Sequence, residues 1–340
     1  MRHLLSVFCC LMAFLLSCFS GERVMTDADF PAFEKLLKKY EEAQVRDDTR
    51  GMLDCANEIH RRLQEYKSGE HKMLAQATAW LRIGDAYLFM GRFDQAIEYF
   101  NKIIREIPDD SCKMVAFHRK ILTFLHQGNH LAEAENVIRD AYDILARVEK
   151  TDSYRNNAGY RNMFLNYRQR IVSAHGSLLY RKKRFHELEK LYLDFFAIFK
   201  DENDFWNIIE NAELFYYDVS LAYHALKNHE KERYYLDQNL RLSRDEKVFF
   251  TDTHLRLAGY AIREKKYKKA LEYCDQALSA KVPAMSLKVK KRNDSLLQNA
   301  KAKIYELMNK QEEAGKILDQ KNFSLNPELK DYLNWLLFDF

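Results

Sequence analysis

The sequence predicts an all-α protein, a right-handed solenoid of about seven helical hairpins ended by a C-terminal capping helix. Three observations lead there. Turn-forming residues are scarce, with 10 Gly and 4 Pro in 340 residues, too few for an all-β or loop-rich chain of this length. Charged residues make up 31% and aromatic residues 13%, which suits amphipathic helices with large side chains on the buried face. Lastly, one arrangement of small, aromatic and proline residues recurs along the chain, the mark of stacked repeats that bury a shared core.

The first twenty residues stand apart. Met1-Arg2-His3 is a short basic start, and residues 4–19 carry no charge. That run is short for a membrane span of about 20 residues and normal for a signal-peptide core. Leu15-Leu16-Ser17-Cys18 resembles a bacterial lipobox, with Leu16 bulkier than most lipoboxes have. The expectation is a signal peptide over residues 1–20, lipidation at Cys18, and a membrane-anchored periplasmic or outer-membrane protein. Cleavage after Ser20 into a soluble secreted or periplasmic form is the alternative. Cys9, Cys10 and Cys18 belong to this leader. Cys55, Cys112 and Cys274 remain, an odd and widely spaced set that reads as free thiols and not as a disulfide framework.

Beyond the leader, Phe33, Leu36, Leu37 and Tyr40 recur at helical spacing. Met52, Cys55, Ile59 and Leu63 do so after the turn at residues 47–51, making a first hairpin. The second is the clearest: Trp80-x2-Ile83-Gly84-x2-Tyr87, then Ala96-x3-Phe100, then Pro108. Gly84 and Ala96 are small where two antiparallel helices cross closely, and Trp80, Tyr87 and Phe100 fill the surrounding space. Gly91 ends the first helix in a conformation that costs other residues more, and Pro108 stops the second. This pattern resembles the tetratricopeptide repeat (TPR), with Ile83 in place of the usual Leu.

Weaker copies follow. Leu122, Gly128, Ala134, Ile138 and Ala141 form a third hairpin with one extra residue in its turn. Gly176, Leu179, Phe185, Leu188 and Tyr192 form a fourth. Ala222-Tyr223, Tyr235-Leu236 and Leu240 form a fifth, with Glu232 where Ala is expected. Leu257-Ala258, Tyr267, Ala270, Cys274, Ala277 and Pro283 form a sixth, and Ala302, Tyr305, Ala314, Leu318 and Pro327 a seventh. The anchors Ala96, Ala134, Leu188, Glu232, Ala270 and Ala314 are 38, 54, 44, 38 and 44 residues apart, longer than the 34 of a standard repeat. The longest interval holds residues 151–174, read as an extension of a helix that begins near Asp152. Capping signals support the register: residues 109–111, Thr151-Asp152, residues 201–204, Ser243-x-x-Glu246 and Asn326-Pro327-Glu328. The last opens a helix over residues 329–340 that would cover the open end of the stack. Residues 77–108, 254–283 and 298–327 are the clearest repeats in one domain over 21–340.

Nothing in the sequence calls for catalysis, a metal or a cofactor. There is no HExxH, no CxxC outside the leader, no Gly-rich phosphate loop and no GxSxG. His126 and His130 straddle the Gly128-Asn129 turn, and His224 and His229 flank another, so neither pair has the spacing of helix-borne ligands. A net charge of +4 gives no argument for nucleic acid. Two patches are weighed as binding surfaces: Tyr160, Arg161, Tyr167 and Arg168, against tyrosines that are core and arginines that are merely solvated, and the basic set Lys281, Lys288, Lys290, Lys291, Arg292, Lys301 and Lys303, against a plain solvated face. In TPR proteins the first helices of successive repeats line a concave groove that holds a partner peptide or helix. The resemblance implies that Thr78, Leu81, Asp85, Leu88 and Phe89 face that groove, making it apolar and aromatic with an acidic spot and without a carboxylate clamp. The sequence therefore reads as a non-enzymatic scaffold or adaptor of a bacterial envelope that binds a protein or peptide. The rivals are an extracytoplasmic sensory TPR module, and a glycan-binding outer-membrane lipoprotein distantly like the SusD family, which is longer and has a large loop-rich region.

Overall fold

The computed structural model describes residues 30–64, 66, 70–246, 251–279, 287–319 and 325–339. The expected leader with Cys18, and Pro283 at the end of the sixth repeat, lie outside them. The described residues form 17 helices and no strand. A first hairpin joins α1 (Phe30–Val45) to α2 (Thr49–Leu63). The clear repeat follows as α3 (Glu70–Phe89) and α4 (Phe93–Glu106), then α5 (Asp110–Gln127) and α6 (Leu131–Val148). After a short α7 (Asp152–Asn156) comes the long α8 (Ala158–Arg181), joined by a tight turn to α9 (Phe185–Phe196). A second short helix, α10 (Glu202–Ile208), precedes α11 (Ala212–Ala225) and α12 (His229–Glu246). Two more pairs, α13 (Thr251–Arg263) with α14 (Tyr267–Ser279) and α15 (Leu287–Leu307) with α16 (Gln311–Leu318), lead to the terminal α17 (Pro327–Phe338). Seven hairpins and a last helix are present as expected. The 54-residue interval holds the insertion α7 and the 24 residues of α8, and the interval from Leu188 to Glu232 holds α10.

Each hairpin turn holds one residue in the left-handed region: Asp47, Gly91, Gly128, Lys183, Lys227, Lys265 and Asn309, with φ between 56° and 77°. In six of the seven the same two bonds close the turn. Gly91 N donates to Leu88 O and Arg92 N to Tyr87 O, and the pattern repeats at Asp47-Asp48, Lys183-Arg184, Lys227-Asn228, Lys265-Lys266 and Asn309-Lys310. Orphaned helix-end carbonyls are satisfied this way. From the second hairpin onward, the left-handed residue stands five positions before Ala96, Leu188, Glu232, Ala270 and Ala314, and six before Ala134. The third hairpin thus carries the extra turn residue read from the sequence. All six anchors are buried. Asp109, Thr151, Asp201 and Asn326 accept from the backbone N–H of Cys112, Tyr154, Asp204 and Leu329, as N-caps do. Ser243 and Glu246 do not cap a helix start: α12 runs unbroken through both.

The chain divides into two compact units at Leu178/Leu179, inside α8. The first unit buries several apolar clusters between its helices, one of them Ala96, Phe100, Ile103 and Ala116 around the clear repeat. Gly84 faces Phe100 so closely that a Cβ would lie 2.5 Å from its ring, which is why no side chain fits there. In the second unit Phe195, Phe196, Phe199, Phe205 and Phe215 pack ring against ring, 4.9–6.2 Å between centroids, and α10 supplies Phe205. Cys55, Cys112 and Cys274 are free, and burial pushes their thiols up, that of Cys274 to about 12.

The terminal helix does not simply cover the open end. Instead α17 lies against α13 and α15, the first helices of the sixth and seventh hairpins. Its stripe of Leu333, Leu336 and Leu337, fully buried, joins the core of Leu255, Ala258, Leu296 and Ile304.

Candidate functional site

In the first unit the residues expected to face the groove are split. Thr78 Oγ1 donates back to Leu74 O at 3.1 Å, and Leu81 and Leu88 are half-buried against Phe100 and its neighbours. Asp85 is not an open acidic spot. It is buried, and its carboxylate pairs with Arg119 Nε on α5 at 3.1 Å. Burial of Tyr40, and after it the Asp85 charge, pushes up the Tyr40 hydroxyl, which donates to Arg82 O at 3.2 Å. Only Phe89 is openly exposed, at 57%.

The tyrosine and arginine set is core on one side and solvated on the other. Tyr167 is buried, Tyr160 packs at the edge of the same cluster, and both stack around Phe164. Burial pushes both hydroxyls up. Arg168 is taken by Glu149, and Arg161 reaches the Arg155 carbonyl at 3.5 Å. The face is no row of open rings with free cations between them. The basic set is likewise dispersed. Lys301 pairs with Asp275 at 2.6 Å, Arg292 lies over the Tyr332 ring, and Lys290 and Lys291 are exposed. Lys281 and the side chain of Lys288 lie outside what is described. His126 contacts the Leu122 carbonyl and His130 contacts Glu133. No group of His, Cys, Asp and Glu among the described residues is arranged for a metal.

The second unit carries the stronger site. Ala96 stands 18, 15, 11 and 8 residues after Thr78, Leu81, Asp85 and Leu88. Among the positions that the same offsets reach before Glu232, Ala270 and Ala314 are Tyr217, His224, Asp252 and Lys303, which are groove-facing by register. All four meet α17. Tyr332 donates to Asp252 Oδ2 at 2.7 Å and hydrogen-bonds Tyr217. The His224 ring sits edge-on to Trp335, 5.4 Å between centroids. Lys303 donates to Asn334 at 2.5 Å and lies 5.4 Å over the Phe338 ring.

Behind them lies a buried polar network that sequence reasoning met only as an anomaly, Glu232 at an alanine position. Glu232 Oε1 accepts from Arg256 Nε at 2.6 Å and Oε2 from the Tyr260 hydroxyl at 2.8 Å. Burial pushes this carboxyl up, but the bonds it accepts from Arg256 and Tyr260 outweigh that and hold it at about 2. Arg256 Nη2 lies 2.5 Å from His224 Nδ1; arginine can only donate, so that ring nitrogen accepts. The other side of the guanidinium donates to the carbonyls of Trp335, at 2.9 Å, and Leu336, at 3.4 Å. These belong to the last turn of α17, whose carbonyls point out along the helix axis; that of Trp335 also accepts from the Asp339 N–H at 3.3 Å. A buried, pre-aimed arginine thus receives the negative end of a helix. Arg256 gave no signal in the sequence.

The model of the tetratricopeptide repeat matches residues 77–110. Those residues are a tetratricopeptide repeat. Solved TPR structures extend the likeness over most of the chain, at the level of fold. The Pseudomonas aeruginosa PilF structure has a TM-score of 0.50 at 19% identity, covering 78% of this chain and 98% of that one. A STAND-class signal-transduction ATPase with a tetratricopeptide-repeat sensor, from Pyrococcus horikoshii, has a TM-score of 0.57 at 17% identity, covering 87% of this chain and 42% of that one. The apo form of the quorum sensor NprR from B. thuringiensis has a TM-score of 0.51 at 17% identity, covering 91% and 80%. No curated protein matches. The TPR solenoid accounts for the turn geometry and the anchor positions. It does not account for Glu232 and Arg256.

Proposed function

We propose that this protein is a non-enzymatic TPR scaffold of a bacterial cell envelope, tethered by a lipid on Cys18, that holds a helical segment of a partner protein on its groove-facing helices. The observation that carries the reading is the second unit's groove, where positions assigned by register already grip a helix through apolar, aromatic and charged contacts. Helix-in-groove recognition is one of the recurring ways in which proteins bind peptides. The TPR fold and the similar TPR structures support a protein-interaction role. The lipid rests on residues 15–18 alone. No helix among the described residues is long and apolar enough to cross a membrane.

Two measurements test it. Metabolic labelling with an alkyne fatty acid in a bacterial host should mark the wild type and not Cys18→Ala, and only the wild type should sediment with membranes; equal labelling removes the anchor. A photo-crosslinking residue at Phe89 should capture an envelope protein that the same residue at Glu98, exposed on the second helix of that repeat, does not. Equal capture from both positions removes the groove.

A further inference from the structure

Resting on that scaffold reading, we propose that the second unit's groove is a receptor for one kind of helix and that the chain's own terminal helix is its resident occupant. The partner is an amphipathic helix with two aromatic residues one turn apart, an apolar stripe, and a carboxylate just past its C-terminus. It enters by displacing α17.

The chemistry of the partner is read from how α17 is held. Tyr332 and Trp335, three positions apart, share a face of the helix and stack on one another. Between them they engage Tyr217, His224, Asp252, Arg256 and Arg292. Leu333, Leu336 and Leu337 form the apolar stripe. Asp339, the first residue past the helix, places its carboxylate 3.7 Å from His224 Nε2, and Arg256 receives the last-turn carbonyls. Every one of these features can be supplied by another chain.

A helix that only closed a core would not need this receptor. Burying an ion pair is often no better for stability than apolar residues of the same volume, and α13 spends a buried Arg256 here, propped by Glu232, Tyr260 and His224. Such pre-organisation serves selection, because a helix without a free C-terminal turn leaves a buried guanidinium short of acceptors. The prop stays behind when α17 leaves: Glu232 lies on α12 and Tyr260 on α13, so the receptor is already assembled for an incoming helix. At 12 residues, α17 is also too short to be a stable helix on its own. Its order comes from the groove.

A fluorescein-labelled peptide of residues 325–340 is the probe, titrated into the full-length protein and into a full-length Tyr332→Ala/Trp335→Ala variant whose resident helix is weakened. A tethered occupant competes as a high local concentration. The peptide is therefore expected to bind the variant at least about tenfold more tightly than the wild type, a difference of about 1.4 kcal/mol. A peptide carrying the same two alanines should bind neither. Equal affinity for both chains, or equal affinity of both peptides for the variant, overturns the proposal. Hydrogen exchange of the wild type needs no variant. If α17 is a displaceable occupant, its amides exchange through local opening faster than those of α13. Exchange of both helices at one slow rate makes α17 a permanent part of the core and overturns the proposal whatever the peptide does. Neither measurement involves the lipid or Phe89, so failure here and failure of the scaffold reading are told apart.

Discussion

At the scale of single residues, Glu232 concentrates the chemistry of this molecule. An alanine there would complete the repeat pattern; a glutamate is tolerated because three side chains converge on it. Removing one partner of a buried pair leaves the other uncompensated, which costs about 3–5 kcal/mol. Glu232→Ala should lose about that much in chemical denaturation. Acidification gives a second reading of the same group. Its folded pKa of about 2 lies below the ordinary 4.5, so its contribution is complete above 4.5 and is lost as pH falls toward 2. A stability profile across that window should be flatter in Glu232→Gln than in the wild type. Parallel profiles would mean that the carboxylate is not engaged.

At the scale of the element, the hairpin turn is the repeated unit of construction, and it is more regular than the helices it joins. Lys183, Lys227 and Lys265 adopt left-handed geometry that costs a side-chain-bearing residue about 1–2 kcal/mol. Replacing each by Gly relieves that strain but loosens the unfolded chain, so a net gain of a few tenths to about 1 kcal/mol per site is expected. Thermal unfolding should show a rise for each, and a fall would contradict the geometry. Gly84→Ala should do the opposite and cost about 1–3 kcal/mol, because its Cβ meets the Phe100 ring; adding Phe100→Leu should restore part of the loss. Gly84, Gly91 and Gly128 were legible in the sequence because glycine announces the need for space or for positive φ. The lysine turns were not, because lysine carries no such announcement.

At the scale of the whole molecule, two compact units meet within one helix, where the sequence offered no Pro-, Gly- or Ser-rich break. Ala96 is fully buried between α3 and α4 in the first unit, and solenoid repeats draw stability from their neighbours. Ala96→Trp should therefore abolish hydrogen-exchange protection over residues 70–127 while leaving residues 251–263 protected. Loss at both would show that the units unfold as one.

Periodicity, anchors and caps belong to neighbours along the chain, so the sequence by itself determined the all-helical class, the number of hairpins, the clear repeat and most N-caps. Its one misplaced cap, Ser243-x-x-Glu246, has the right spacing in the last turn of α12, where spacing alone cannot tell a helix start from a helix end. The groove was a different matter. Asp85 looked open because its partner, Arg119, sits on another hairpin, and Tyr167 could be core or surface until α8 packed it inward. Arg256 and Trp335 are 79 residues apart, and no local pattern records that one will hold the carbonyl of the other. Tertiary structure alone decided which groove positions stay open and which are filled, because burial and charge pairing depend on what the chain brings back from a distance.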